Sequence, residues 1–447
     1  MIGARRAGNV VSAIADHKQA QSRATAGSMR MAFFVTTAFV AALFLSALLL
    51  FSVQPMFAKM VLPRFGGSPA VWSVATVFFQ GVLLLGYAYA HALSGRINIR
   101  SGALLHIGLM IVVLIVALPF GIGASWDRPP ADGQVLWLIG LFAASIGLPF
   151  FVLSANGPLL QAWFSKTDHP HAGDPYPLYA ASNFGSLLAL LTYPFVIEPI
   201  STLSQQRIVW TWGFATFIAL IALAAGYAIR QTGQGVSPPA DSIRTVTPRP
   251  TVEQKLVWIA LSFAPSGLLV AVTAHLSTDV AAAPFLWVLP LSLFLLTFVI
   301  AFQRKPWIPH ARVAMLQPFA VLAIATLALA SLIMPLWLVI AVLLCAFFLL
   351  VLFCHGELVL RRPASDHLTA FYIYMSLGGV LGGVFAGLVA PLIFNNVYEY
   401  PLMFICALAC KPDLWREGKG KVALAIVAAA GVALIATFAF NMVRGFD

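Results

Sequence analysis

Apolar runs of bilayer length recur along this chain from end to end, and they leave it few ways to fold. A helix needs about 20 consecutive apolar residues to cross the hydrocarbon core. Candidate spans fall at 32–54, 70–93, 102–122, 135–156, 178–198, 208–229, 256–276, 284–302, 313–333, 335–356, 371–394, 397–410 and 422–443. The run 397–410 is short for a span and is open to a tilted or re-entrant reading. Only 9% of the 447 residues are charged and 61% are hydrophobic, whereas soluble domains carry about 25% charged residues. The expected fold class is therefore an all-α polytopic membrane protein.

The charge pattern sets a topology. The net charge of +11 is not a nucleic-acid signal, because Lys and Arg gather in short segments between apolar runs. With the N-terminus placed on the cytoplasmic side and the spans alternating, 21 of the 26 Lys and Arg fall inside. Residues 1–31 read as a basic cytoplasmic tail followed by an uncleaved first helix. Residues 411–421 read as a basic inner loop, and 422–443 as an extra C-terminal helix. The four cysteines (Cys345, Cys354, Cys406 and Cys410) form no CxxC, so neither a disulfide framework nor a zinc knuckle is expected. No metal site and no cofactor is expected.

One extended polar stretch, 231–254, is rich in Pro, Ser and Thr and reads as a flexible cytoplasmic linker. It separates a first six-helix half, 32–230, from a second half, 255–410. The halves look duplicated. Ser68-Pro69-Ala70-Val71-Trp72 opens the second span, and Ala283-Pro284-Phe285-Leu286-Trp287 opens the eighth. Tyr179, Gly185 and Pro194 in the fifth span parallel Tyr372, Gly378 and Pro391 in the eleventh. Six spans per half preserve orientation, so the two repeats are expected to be parallel.

The eleventh span carries glycine at 378, 379, 382, 383 and 387. Gly378 and Gly382, and Gly379, Gly383 and Gly387, recur at a four-residue spacing, so they are expected to line one helical face that lets a neighbouring backbone approach. Two readings stand side by side: a fixed packing face, and a face against which something moves.

Polar groups at membrane depth are few, and they are the candidates for binding. Gln54 precedes Pro55 and is expected to break the first helix; discontinuous helices often mark solute sites. His275 and Asp279 lie four apart at the corresponding turn of the second half. Asn156, Asn183, Gln161 and Ser182 suit interhelical hydrogen bonding. Glu357 can pair with Arg361 at i and i+4, or it can serve in coupling to a proton or cation. Gln80, His91 and His106 are isolated polar residues. No GxGxxG after a strand, GxxxxGK[ST], HExxH or GxSxG occurs, so an enzyme is not expected and no catalytic residue is assigned.

Several stretches together resemble a known family. VQPMFAKMVLPRFGGSPAVW (53–72), LSANGPLLQAWF (153–164), DPYPLYAASNFGSLLALLTYPFVIEP (174–199), CHGEL (354–358) and YEYPL (398–402) are similar to the membrane region of bacterial fused major facilitator/spermidine synthase-like proteins. The resemblance implies a major-facilitator-like bundle in the bacterial inner membrane. In that family an aminopropyltransferase-like domain follows the membrane region. The present sequence ends at Asp447 without such a domain, so no residue of that chemistry is carried over. The synthase-like domain is a separate protein, was lost, or lies beyond this chain. Two functions are expected from these features. One is a transporter-like protein moving a small polar or cationic solute by alternating access. The other is a non-transporting scaffold that anchors a separate synthase-like enzyme. The lipid bilayer is the expected partner in either case, and nucleic acid is not.

Overall fold

In the computed structural model, residues 33–61, 63, 69–130, 132–233, 248–276, 287–303, 305–330, 334–394 and 399–410 are described. The expected tail, the loop 411–421, the helix 422–443, Asp279 and most of the linker lie outside these residues.

The described residues form twelve helices. The first half contains α1 (Phe33–Val61), α2 (Pro69–Arg96), α3 (Ile99–Val116), α4 (Gln134–Phe164), α5 (Pro177–Ile200) and α6 (Leu203–Gly233). The second contains α7 (Val252–His275), α8 (Val288–Ala301), α9 (His310–Ala330), α10 (Leu336–Leu360), α11 (Ser365–Ile393) and α12 (Glu399–Ala409). Among the described residues, nine helices are long and apolar enough to cross a membrane. Inside a bilayer no water can satisfy backbone groups, so each apolar run closes its hydrogen bonds on itself as a helix. Twelve of the thirteen expected spans overlap these helices; α1 and α4 extend further than expected, and α3 ends earlier, at Val116.

Helix starts follow local chemistry. Thr251 and Gln254 form a reciprocal capping box at α7, with bonds of 3.2 and 3.0 Å. Asn98 Oδ1 accepts from the Ser101 N–H at 2.8 Å to open α3. Pro177 occupies the first turn of α5, where its missing N–H costs nothing.

Prolines inside the helices have unequal effects. The expected break at Gln54-Pro55 does not occur: α1 continues unbroken from Phe33 to Val61. A proline there removes one helical bond of a long series, and the helix tolerates the loss. α5 and α11 instead widen into π turns, Tyr193–Ile197 and Phe385–Val389. Pro194 lies within the first and Pro391 just after the second. Each proline lacks the N–H that the carbonyl four residues earlier would accept, so the ladder re-registers.

Buried apolar residues form one core in each half. The first runs from Val35 to Ala228 and is made only of α1–α6 and their connections. The second is built on α7–α12 but also takes in Tyr87, Tyr176 and Ala180 from the first half. A third, small cluster of Leu190, Val288 and Leu295 joins α5 to α8. Leu104, Ile115, Val116, Phe195 and Leu392 are exposed, as expected of an apolar surface that meets lipid tails.

Candidate functional site between the two halves

The halves meet along two seams: α2 runs against α11, and α5 runs against α8. The sequence repeat, which relates α2 to α8 and α5 to α11, makes one seam the counterpart of the other, with each half contributing its second and its fifth helix. Equivalent glycines build equivalent joints within each half. A Cβ on Gly185 would sit 2.6 Å from the Phe44 carbonyl oxygen of α1. A Cβ on Gly378 would collide with the Ile259 carbonyl of α7. In both halves the fifth helix therefore lies backbone-close to the first.

The glycine stripe of α11 divides by partner. Gly378 and Gly382 face α7 within the second half; a Cβ on Gly382 would collide with the Phe263 carbonyl and lie 2.8 Å from the Gly267 nitrogen. Gly383 and Gly387 face α2 across the seam, where a Cβ would meet Gln80 and Ser73. Gly379 has more room, since the nearest atom a Cβ would meet beyond its own turn of helix is the Ser266 hydroxyl at 3.9 Å.

Different side chains close the interface at its two ends. Where α2 and α8 begin, Trp72 and Trp287 meet with ring centroids 5.1 Å apart and planes 33° apart. The opposite end carries Arg96, Arg100, Lys166, Arg361 and Arg362, and there tyrosines dominate. The Tyr372 hydroxyl donates to Gln161 Oε1 at 2.8 Å, joining α11 to α4. Tyr179 packs on Tyr372 at 5.1 Å and on Phe302 at 4.9 Å. Tyr87 meets Tyr372 at 5.9 Å. Outside these helices, the Tyr176 hydroxyl donates to the Pro363 carbonyl at 2.9 Å, and the Arg362 guanidinium lies over its ring at 4.8 Å. Burial raises the pKa of that hydroxyl, and the nearby Arg362 charge opposes the rise only in part. Arg362 also pairs with Asp174 at 3.2 Å. His91 of α2 and Thr369 of α11 are 2.8 Å apart.

The candidates from the sequence are scattered. Gln54 is half-buried on α1. His275 stacks on Tyr400 at 4.8 Å, within the second half. Asn156 is buried; its Oδ1 accepts from His106 Nε2 at 3.0 Å, and its Nδ2 donates to the Val152 and Leu153 carbonyls. Asn183 donates to the Tyr179 carbonyl one turn back. Glu357 is buried and pairs with Arg361, as the four-residue spacing suggested, and also with His310 Nε2 at 2.6 Å. Both of its partners belong to the second half, and His310 is on α9. The contacts described for His275, Asn156, Asn183 and Glu357 lie within their own halves. The halves are bridged instead by Gln161, which the sequence marked as suited to interhelical hydrogen bonding, by Gln80 and His91, which it marked only as isolated polar residues, and by the tyrosines. Among the described residues, no group of three or more His, Cys, Asp or Glu could hold a metal ion.

No family model and no curated protein sequence matches the chain. Solved structures do. The proton:xylose symporter XylE of the major facilitator superfamily, bound to 6-bromo-6-deoxy-D-glucose, aligns with a TM-score of 0.52 at 13% identity, over 85% of this chain and 95% of that one. The human organic anion transporter MFSD10 aligns with a TM-score of 0.52 at 14% identity, over 90% and 98%. The fold is that of the major facilitator transporters. In this facilitator fold each six-helix half is a unit, and the α2/α11 and α5/α8 seams are where the two units touch.

Proposed function

We propose that this protein is a bacterial inner-membrane transporter with a cytoplasmic N-terminus, carrying a small polar solute by alternating access. The observation that carries this reading is the interface itself. Two halves, each built on its own main core, touch along two seams, and a separate set of side chains meets at each end. Such a body can rock about its middle, opening one end while the other stays shut. The Lys and Arg bias supports an orientation with the tyrosine end in the cytoplasm and the Trp72–Trp287 end outside. XylE is a proton:xylose symporter and MFSD10 an organic anion transporter by description, so the fold accommodates solutes of unlike chemistry and does not select one.

The test is flux in proteoliposomes reconstituted with the purified chain and loaded with sugars, amino acids, polyamines or organic acids. Saturable flux of at least one class, lost on heat denaturation, is expected. Folded protein that moves none of them would defeat the proposal.

A second reading has its own support. Both ends of the described interface are closed, as in a bundle that carries no traffic, and the sequence resembles the membrane part of synthase-fused proteins. In that case the chain anchors a separate synthase-like enzyme. Pull-down of such an enzyme with the tagged membrane protein, together with absence of flux, would favour it.

A further inference from the structure

The two seams differ in chemistry. Against α8, α5 presents the apolar cluster of Leu190, Val288 and Leu295, with Leu187, Leu291 and Phe51 packed around it. The α2/α11 seam is polar along its length. From the tyrosine end, His91 meets Thr369, Tyr87 meets Tyr372, Gln80 lies over Gly383, and Ser73 lies over Gly387. Positions 369, 372, 376, 379, 383 and 387 follow the helical period, so Ser376 shares this face.

Near the middle of these helices α7 joins the seam. Gln80 Nε2 donates to the Ser266 hydroxyl at 3.0 Å, and that hydroxyl donates to the Gly379 carbonyl at 2.8 Å. Three polar atoms around this chain have no partner: Gln80 Oε1, Ser262 Oγ and Ser376 Oγ. Ser262 and Ser376 are only 6% and 7% exposed. Ser262 lies against the notch left by Gly378, where a Cβ would approach its own Cβ to 2.9 Å. Leaving a buried hydroxyl or amide oxygen unpaired is costly, and native proteins seldom leave such groups without a use.

We propose that Gln80, Ser262, Ser266 and Ser376, grouped about the glycine notches of α11, form a binding site for a neutral, hydrogen-bonding solute bearing hydroxyl or amide groups. The group now in the notch indicates the chemistry. A carboxamide supplies one donor and one acceptor without charge, and it fits. When the α2/α11 seam parts, the Gln80 amide leaves Ser266, and a solute hydroxyl or amide takes its place while Gln80 turns to the solute. Among the described residues, the ion pairs sit at or near helix ends and are engaged with each other (Lys59 with Glu198 at 2.7 Å, Arg362 with Asp174, Glu357 with Arg361 and His310). A cation or anion at the notch would meet neutral dipoles, and burying an uncompensated charge there is far costlier than burying a hydroxyl. The assignment rests on the transport reading for its purpose, but its test is binding.

Purified protein is titrated with glycerol, xylitol, D-glucose and acetamide, and separately with putrescine and succinate, following tryptophan fluorescence and thermal stability. At least one neutral probe is expected to bind saturably. Gln80→Leu and Ser266→Ala should each weaken it about tenfold or more, the scale of one well-placed hydrogen bond. Gln80→Asn keeps the carboxamide and should retain part of the affinity, which separates loss of the site from loss of the fold. Three results overturn the site: no neutral probe binds, only putrescine or succinate binds, or binding ignores Gln80→Leu. Flux in vesicles tells this failure from the other. Putrescine flux untouched by Gln80→Leu removes the site and leaves transport standing. Gln80-dependent binding of a neutral probe without any flux does the reverse.

Discussion

Gly382→Ala is expected to destabilise the protein strongly, while Gly379→Ala, three residues away on the same helix, is expected to be harmless or mildly stabilising. A methyl group on Gly382 meets the Phe263 carbonyl and the Gly267 nitrogen of α7. Both are backbone atoms of a regular helix, so neither can turn aside as a side chain would. Overpacking commonly costs about 1–3 kcal/mol, and a rigid neighbour places this case at the upper end. At Gly379 the added methyl would meet only the Ser266 hydroxyl, at 3.9 Å, an ordinary contact. There alanine gains the usual preference over glycine in a helix interior, about 0.5–1 kcal/mol. Thermal melting in detergent, with the folded fraction read by size exclusion, measures both. Equal melting temperatures for the two variants would show that α7 and α11 are not in backbone contact.

Tyr372→Phe is expected to loosen the tyrosine end without unfolding either half. The lost hydroxyl leaves Gln161 Oε1 buried without its donor. The penalty is about 1–3 kcal/mol, and it falls only on states in which α4 and α11 are together. An open end lets water satisfy Gln161. A change of 1.4 kcal/mol is about tenfold in population. Ala180 lies buried at this end, in the core of the opposite half. In a background lacking native cysteines, maleimide labelling of Ala180→Cys should speed up about tenfold when Tyr372→Phe is added. Adding Gln161→Leu as well removes both polar partners and should restore much of the slow labelling. Folded protein with unchanged labelling would mean that the hydroxyl does not hold the end shut.

The sequence and the structure agree where information is local and part ways where it is not. Helix positions were legible because lipid demands long apolar runs, and the capping box of Thr251 and Gln254 lies within four residues. The repeat was legible because Trp72 and Trp287, and Gly185 and Gly378, keep their setting in each half. The pair of Glu357 with Arg361 followed from one helical turn, but His310 arrives from 47 residues away. Gln80 finds Ser266 across 186 residues, and Tyr372 finds Gln161 across 211. Nothing in the spacing of either chain segment announces such partners. Gln54 drew notice through Pro55, yet one missing N–H did not break a 29-residue helix. The glycine stripe looked like a single face; it is two, one fixed against α7 and one set against the other half.

The contact between Trp72 and Trp287 has a further consequence. Two copies of a unit arranged about a twofold axis place most equivalent residues far apart; only residues on the axis touch their own counterparts. The two tryptophans hold corresponding places in the repeat, and they touch. They therefore mark the point where the pseudo-symmetry axis passes between the halves. At that point the contact is isologous: one residue type, chosen once, serves as both surfaces. Everywhere else along the seams the two halves have been free to diverge, and the polar α2/α11 and apolar α5/α8 faces are that divergence.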